Sequence, residues 1–155
     1  NRILQFYSTE EGNFQFSQST DTYTQQEASA GVLFPLHNHK FYEIFRLECE
    51  RAVFSVEGQK YRMQRGDVMV FNSRELHQIF FDVTKYQRTT MHFSKAPLAP
   101  YQNEQFSLAY AFENKKMGQM NRISAQDSKT YGIDGKIEEM LEYVRGERPE
   151  KENLL

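Results

Sequence analysis

No tryptophan occurs in these 155 residues, and only one cysteine, four prolines and eight glycines do. A lone cysteine, Cys49, excludes an internal disulfide framework and fits a reducing, cytoplasmic location. It lies between Glu48 and Glu50, an acidic setting that disfavours a thiolate, so it reads as a small half-buried residue and not a nucleophile. Excess basic charge is missing too: 19 Lys and Arg against 21 Asp and Glu leave a net charge of −2. Nucleic-acid binding needs clustered cations to neutralise phosphates, so this chain is not expected to touch DNA itself. No apolar run approaches membrane-spanning length and the N-terminus lacks a signal-peptide pattern, so no membrane partner is expected.

Aromatic residues are plentiful, with 13 Phe and 9 Tyr. Few Gly and Pro beside so many aromatics suit a strand-rich core, and the length suits one domain with a real interior. Ile3, Leu4, Phe6 and Tyr7 read as a first strand, Gly12-Asn13 as a turn, and Phe14 and Phe16 as the start of a second strand. The run from Asp21 to Ala30 carries a weak signal, and Tyr23 among Thr and Gln suggests an edge strand. Beyond it the signal strengthens. Residues 41–48, the hairpin 52–64 turning at Gly58, the run 67–71, and residues 78–81 and 86–93 are short strands separated by turn residues. Such spacing indicates an antiparallel sandwich or small barrel. After Pro97 and Pro100 the character changes. Phe106, Leu108, Tyr110 and Phe112 give no clear period, Gly132 to Gly135 is a break, and Ile133, Ile137, Met140, Leu141 and Val144 form one helical stripe. Asp134 is expected to cap that helix, with Gly146 and Pro149 ending it.

Three of the four histidines belong to one pattern. His37, His39 and Glu43 share parity, so an extended strand would turn them to one face. His77 follows the buried run 67–71 after a short loop. Three imidazoles and a carboxylate could hold a divalent transition metal such as Zn, Ni, Mn or Fe, none of them obligatory, or could simply line a polar pocket. Arg88, Thr90 and His92 alternate on the last strand and could form the opposite wall, with Arg88 offering a forked partner to a carboxylate or hydroxyls. Phe41, Tyr42 and Phe45 are more often core than ligand stackers, although Phe41 and Phe45 are placed to meet a sugar or aromatic guest.

Gly31, His37, His39 and Glu43 match the first cupin motif through its glutamate, with Glu50 where a closing glycine would fall. Gly66 to His77 matches the second motif in register, with Asn72 and Arg74 in place of its usual Pro and Gly. Residues 35–44, 57–61, 65–72 and 75–77 together resemble the sensor domain of AraC-type transcriptional regulators. That resemblance implies a mainly β fold: an antiparallel cupin (jelly-roll) barrel with an N-terminal arm over residues 1–100, then a helical tail over 101–155. It further implies a small-molecule effector in the barrel, a homodimer formed through the tail helices, and a separate helix-turn-helix domain beyond residue 155 that contacts DNA. The terminal Leu154-Leu155 pair, after a start at Asn1, reads as a fragment of a longer chain on this view.

Two functions compete. The first is effector sensing and dimerisation, in which the guest favours one arrangement of arm, barrel and tail. The second is a metal-dependent cupin enzyme, a dioxygenase or isomerase, since a metal with open positions can polarise an oxygen or activate dioxygen. No additional acid or base stands in a persuasive position, so no catalytic residue is assigned. A carbohydrate-binding or dimerising module without a switch is a third, weaker reading.

Overall fold

Ten strands form two antiparallel sheets in a computed structural model that describes residues 2–38, 40–101 and 110–146. The strands are β1 (Arg2–Ser8), β2 (Phe14–Thr22), β3 (Val32–Leu33), β4 (Tyr42–Leu47), β5 (Arg51–Val56), β6 (Gln59–Gln64), β7 (Val68–Phe71), β8 (His77–Phe81), β9 (Lys85–Phe93) and β10 (Arg122–Ile123). One sheet has the order β1-β2-β9-β4-β7-β10 and the other β3-β8-β5-β6. The hairpin at Gly58 is present: Glu57 and Gly58 both have positive φ, 48° and 82°, as a type I′ loop requires.

Alternation along the strands divides the apolar residues between two cores. Phe45, Leu47, Phe54, Met69, Phe71, Ile79, Phe81 and Tyr86 point between the sheets and fill the barrel. Phe14, Phe16, Tyr42, Val68, Met91 and Phe93 point out of the six-stranded sheet, where they cluster with the apolar face of helix α4 (Ile133–Arg145). The helical stripe read from the sequence is the face that does this. Ile137 and Leu141 are 2% and 1% exposed, and Ile133, Met140 and Val144 flank them.

Local chemistry departs from expectation in two places. The run 21–30 is not an edge strand: β2 continues to Thr22, and α1 (Gln25–Ala30) follows. Thr24 accepts from the Glu27 amide at 3.1 Å while its own amide donates to Glu27 Oε1 at 3.0 Å, a capping box that outweighs the strand preference of its neighbours. Asp134 does not cap α4. Gly132, in the left-handed region at φ 81°, precedes the helix, Gly135 lies inside it, and the Asp134 carboxylate accepts from Arg46 Nη1 at 3.1 Å.

Between barrel and α4 the chain forms a 3₁₀ turn (Ala96–Tyr101), a short helix α2 (Tyr110–Glu113), a strap of residues 114–121, β10, and α3 (Ala125–Thr130) capped by Ser124. Of the apolar residues left unassigned between 106 and 112, Phe106 and Leu108 lie outside the described residues. Phe112 packs on Tyr42 and Phe93, and the Tyr42 hydroxyl donates to Glu113. Lys95 adds an ion pair to the same carboxylate at 2.9 Å.

Candidate functional site

The site is a cavity of about 290 Å³ inside the barrel, between the inward faces of β4, β8, β9 and β2. Glu43 and Phe45 reach it from β4, Tyr86, Arg88, Thr90 and His92 from β9, His77 from the start of β8, and His37 from the segment before β4. Seven of the nine residues singled out from the sequence therefore share one cavity: His37, Glu43, Phe45, His77, Arg88, Thr90 and His92. Phe41 does not line it; the Lys40 ammonium lies 5.7 Å from the centre of its ring. His39 lies outside the described residues.

Glu43 sits at the centre of the polar wall. Its Oε2 is 3.3 Å from His77 Nε2 and its Oε1 is 3.5 Å from His92 Nε2. His77 is held on three sides: its ring stacks on Phe71 at 4.0 Å, its backbone bridges to His37, and Nδ1 is 3.0 Å from the Glu75 carbonyl. A carbonyl only accepts, so Nδ1 carries a proton, and Nε2 is the nitrogen turned to Glu43 and the cavity. His37 is set the same way, with Nδ1 2.8 Å from the Pro35 carbonyl.

The opposite end is aromatic and its charge is already neutralised. Arg88 donates to Asp21 Oδ2 at 2.8 Å and stacks over Tyr86 at 4.5 Å, so the fork expected to meet a guest carboxylate has a resident partner. Tyr86 stacks on Phe81 at 4.2 Å, and burial pushes its phenol up. Burial likewise pushes the Cys49 thiol up, in keeping with a packing role.

Other lining residues escaped the sequence reading. Gln15, Ser17 and Ser19 face inward from β2, opposite in parity to Phe14 and Phe16; once β2 is recognised as nine residues long, that alternation marks them. Ile3 and Phe6 of β1 also line the cavity, while remaining 58% and 55% exposed. The N-terminal segment forms an edge hairpin of β1 with β2, and Ile3 and Phe6 of its outer strand form part of the cavity wall.

A metal was a candidate occupant from donor types alone. Among the described residues no three His, Cys, Asp or Glu side chains are grouped so as to hold one. The chemistry of the described lining is that of one carboxylate, three imidazoles and several hydroxyl and amide groups.

Just behind His77 lies a second buried polar group. Glu75 is 0% exposed, and its carboxylate accepts from the Asn72 amide at 3.0 Å, the Gly118 amide at 2.8 Å, Lys115 Nζ at 2.6 Å and the Asn121 side chain at 3.0 Å. Burial alone would push this carboxyl up; the Lys115 ammonium and the convergent N–H donors hold it below the usual range instead.

Two antiparallel sheets closed on a polar cavity, with ligand-type side chains delivered at the two motif positions, define a cupin-type ligand-binding barrel. The family model described as AraC-like ligand binding domain matches residues 21–136, and the chain belongs to that family. No curated protein sequence matches the chain. Among solved structures, it is similar to a Cupin 2 conserved barrel domain protein from Salinispora arenicola, at 21% identity over 64% of this chain and 79% of that one, TM-score 0.47. A cupin superfamily protein from Desulfitobacterium hafniense is similar at 14% identity over 60% of this chain and 78% of that one, TM-score 0.47. No helix of the described residues is long and apolar enough to cross a membrane.

Proposed function

We propose that this chain is the effector-sensing part of a transcription regulator, and that its effector is a small, uncharged, hydroxyl-rich molecule of sugar-like chemistry. Family membership supports the ligand-binding role, and one observation carries the choice of guest: the fixed charges lining the cavity already face opposite or titratable partners. Arg88 is matched to Asp21, and Glu43 stands between His77 and His92. A guest with a full charge would break one of these arrangements. A hydroxyl both donates and accepts, which suits a carboxylate facing an imidazole nitrogen, and the Phe45 ring gives the cavity an apolar surface for a sugar ring. On this reading the helical tail, residues 101–155, joins two copies, and helix-turn-helix domains beyond residue 155 are repositioned when the guest favours one arrangement of barrel and tail. The switch extends only as far as the guest binds the two arrangements unequally.

A thermal-shift screen of neutral monosaccharides and polyols against matched sugar acids tests this. A true effector at about 100 times its Kd stabilises by about 2.7 kcal/mol, which is several degrees in Tm for a domain of this size. Thr90→Val and His92→Ala should abolish the shift. Stabilisation by sugar acids alone would overturn the choice of guest.

The metal-dependent enzyme is the second reading. It draws on the shared orientation of His37 and His77, whose carbonyl-held Nδ1 atoms turn each Nε2 to the cavity, where its lone pair could ligate, the usual arrangement of metal-ligating histidines. Stoichiometric Zn, Ni, Mn or Fe in purified protein, with guest binding lost after chelation, would favour it over an accessory or absent metal.

A further inference from the structure

We propose that Glu75 is a positioning residue that ties the imidazole of His77 to the strap of residues 114–121, so that the condition of the cavity is felt in the tail. The idea rests on reading that cavity as an effector site, and it adds a route out of it. Both ends of Glu75 are engaged. Its backbone carbonyl accepts from His77 Nδ1 at 3.0 Å, and its carboxylate gathers Lys115, Gly118 and Asn121 from the strap. One residue thus touches the cavity wall with its main chain and the tail with its side chain.

Apolar packing contributes little to the strap, which is otherwise tied to the barrel at its far end, where Asn121 accepts from the Val70 amide at 2.8 Å and donates its side-chain amide to the Val70 carbonyl at 2.8 Å. Met117 and Met120 are 38% and 81% exposed, so its side chains add almost no apolar docking, and the buried residues within it are Gly118 and Asn121. Lys115 Nζ, on a side chain only 5% exposed, bonds Glu75 and the Gln119 carbonyl at 3.1 Å. Tyr61 donates to the Gly118 carbonyl at 2.5 Å. At Gly118, φ is +79° and a Cβ would lie 2.8 Å from the Val56 carbonyl oxygen, so the backbone itself is pressed onto the β5–β6 hairpin. A buried ion pair is a poor way to gain stability when apolar residues could fill the same space. It is a good way to make docking conditional, because hydrogen bonds weaken steeply with misalignment and several of them meet at one carboxylate. A tilt of residue 75, forced through His77, loosens them together.

Amide hydrogen exchange in this chain, with no effector added, tests the link. His77→Ala removes the Nδ1 donor and should speed exchange of the Gly118 amide about tenfold, within the usual range of coupling between sites. Amides of the β2–β9 ladder should keep their rates. His77→Asn returns a donor near the Nδ1 position and should restore slow exchange at Gly118. In the reverse direction, Lys115→Met should shift the ¹⁵N signals of the His77 ring away from the Nδ1–H tautomer, and this arm stands even where His77→Ala fails to fold. Unchanged Gly118 exchange, acceleration matched across the β2–β9 ladder, absence of rescue by His77→Asn, or an unmoved His77 ring signal would each overturn the proposal. Because no guest is present, such a failure leaves the sugar screen intact, and a failed screen leaves this link standing.

Discussion

Two parts of the tail dock onto the same barrel by opposite means. Helix α4 lies on the outer face of the six-stranded sheet through Ile137 and Leu141, and its polar contacts are an addition: Arg46, 3% exposed, donates to Glu48 at 2.5 Å, Asp134 at 3.1 Å and Glu138 at 2.6 Å. The strap 114–121 inverts this balance, with polar groups converging on buried Glu75 and methionines left in solvent. Apolar docking scales with area and yields gradually, whereas docking through one carboxylate fails as a unit. On the proposal above, the helix is the permanent joint and the strap the conditional one.

Leu141→Ala should have the largest effect, and a small one would erase the difference between helix and strap. Truncating a fully buried leucine in the cluster that includes Phe16, Met91 and Phe93 is expected to cost about 3 kcal/mol, read as a lower urea midpoint with unchanged slope. A loss below about 1 kcal/mol would mean that α4 is held by its ion pairs after all. Gly118→Ala comes next. The positive φ and the 2.8 Å approach to Val56 O predict a loss of about 1–2 kcal/mol. Hydrogen exchange should place it in residues 114–121, with α4 unaffected.

The barrel was legible in the sequence because strand alternation, a glycine at the β5–β6 turn and two separated motifs all report the same local geometry. His37, Glu43 and His77 could be paired from spacing alone, and Arg88, Thr90 and His92 from parity. Of what stayed hidden, one feature is local and the others depend on tertiary partners. Thr24 and Glu27 form a capping box that reads, in sequence, as two more polar residues of a Thr- and Gln-rich run. Asp134 looks like a helix cap until Arg46, 88 positions earlier, claims its carboxylate. Glu75 carries no local signal of burial at all, since the Lys115, Gly118 and Asn121 groups that make it tolerable lie 40 to 46 positions away. Long-range satisfaction of one buried charge is not a periodic property, and no window of sequence displays it.

Glu138→Gln sharpens the contrast from the small side. Glu138 is the most exposed of the three carboxylates on Arg46, at 56%, and its loss leaves Glu48 and Asp134 in place. Burial alone would lower the Arg46 guanidinium's proton affinity; Glu48 and Glu138 more than offset it, with Glu48 the stronger. The glutamine oxygen still accepts a hydrogen bond, so the expected loss is below about 1 kcal/mol and shrinks in high salt, as for other exposed pairs. Lys115→Met, which strands a carboxylate with no exposure, should cost several times more and be nearly indifferent to salt. Urea titrations of the two variants at low and high ionic strength measure both quantities. Equal losses, or equal salt dependence, would show that burial does not separate these two joints and that the strap is no more conditional than the helix.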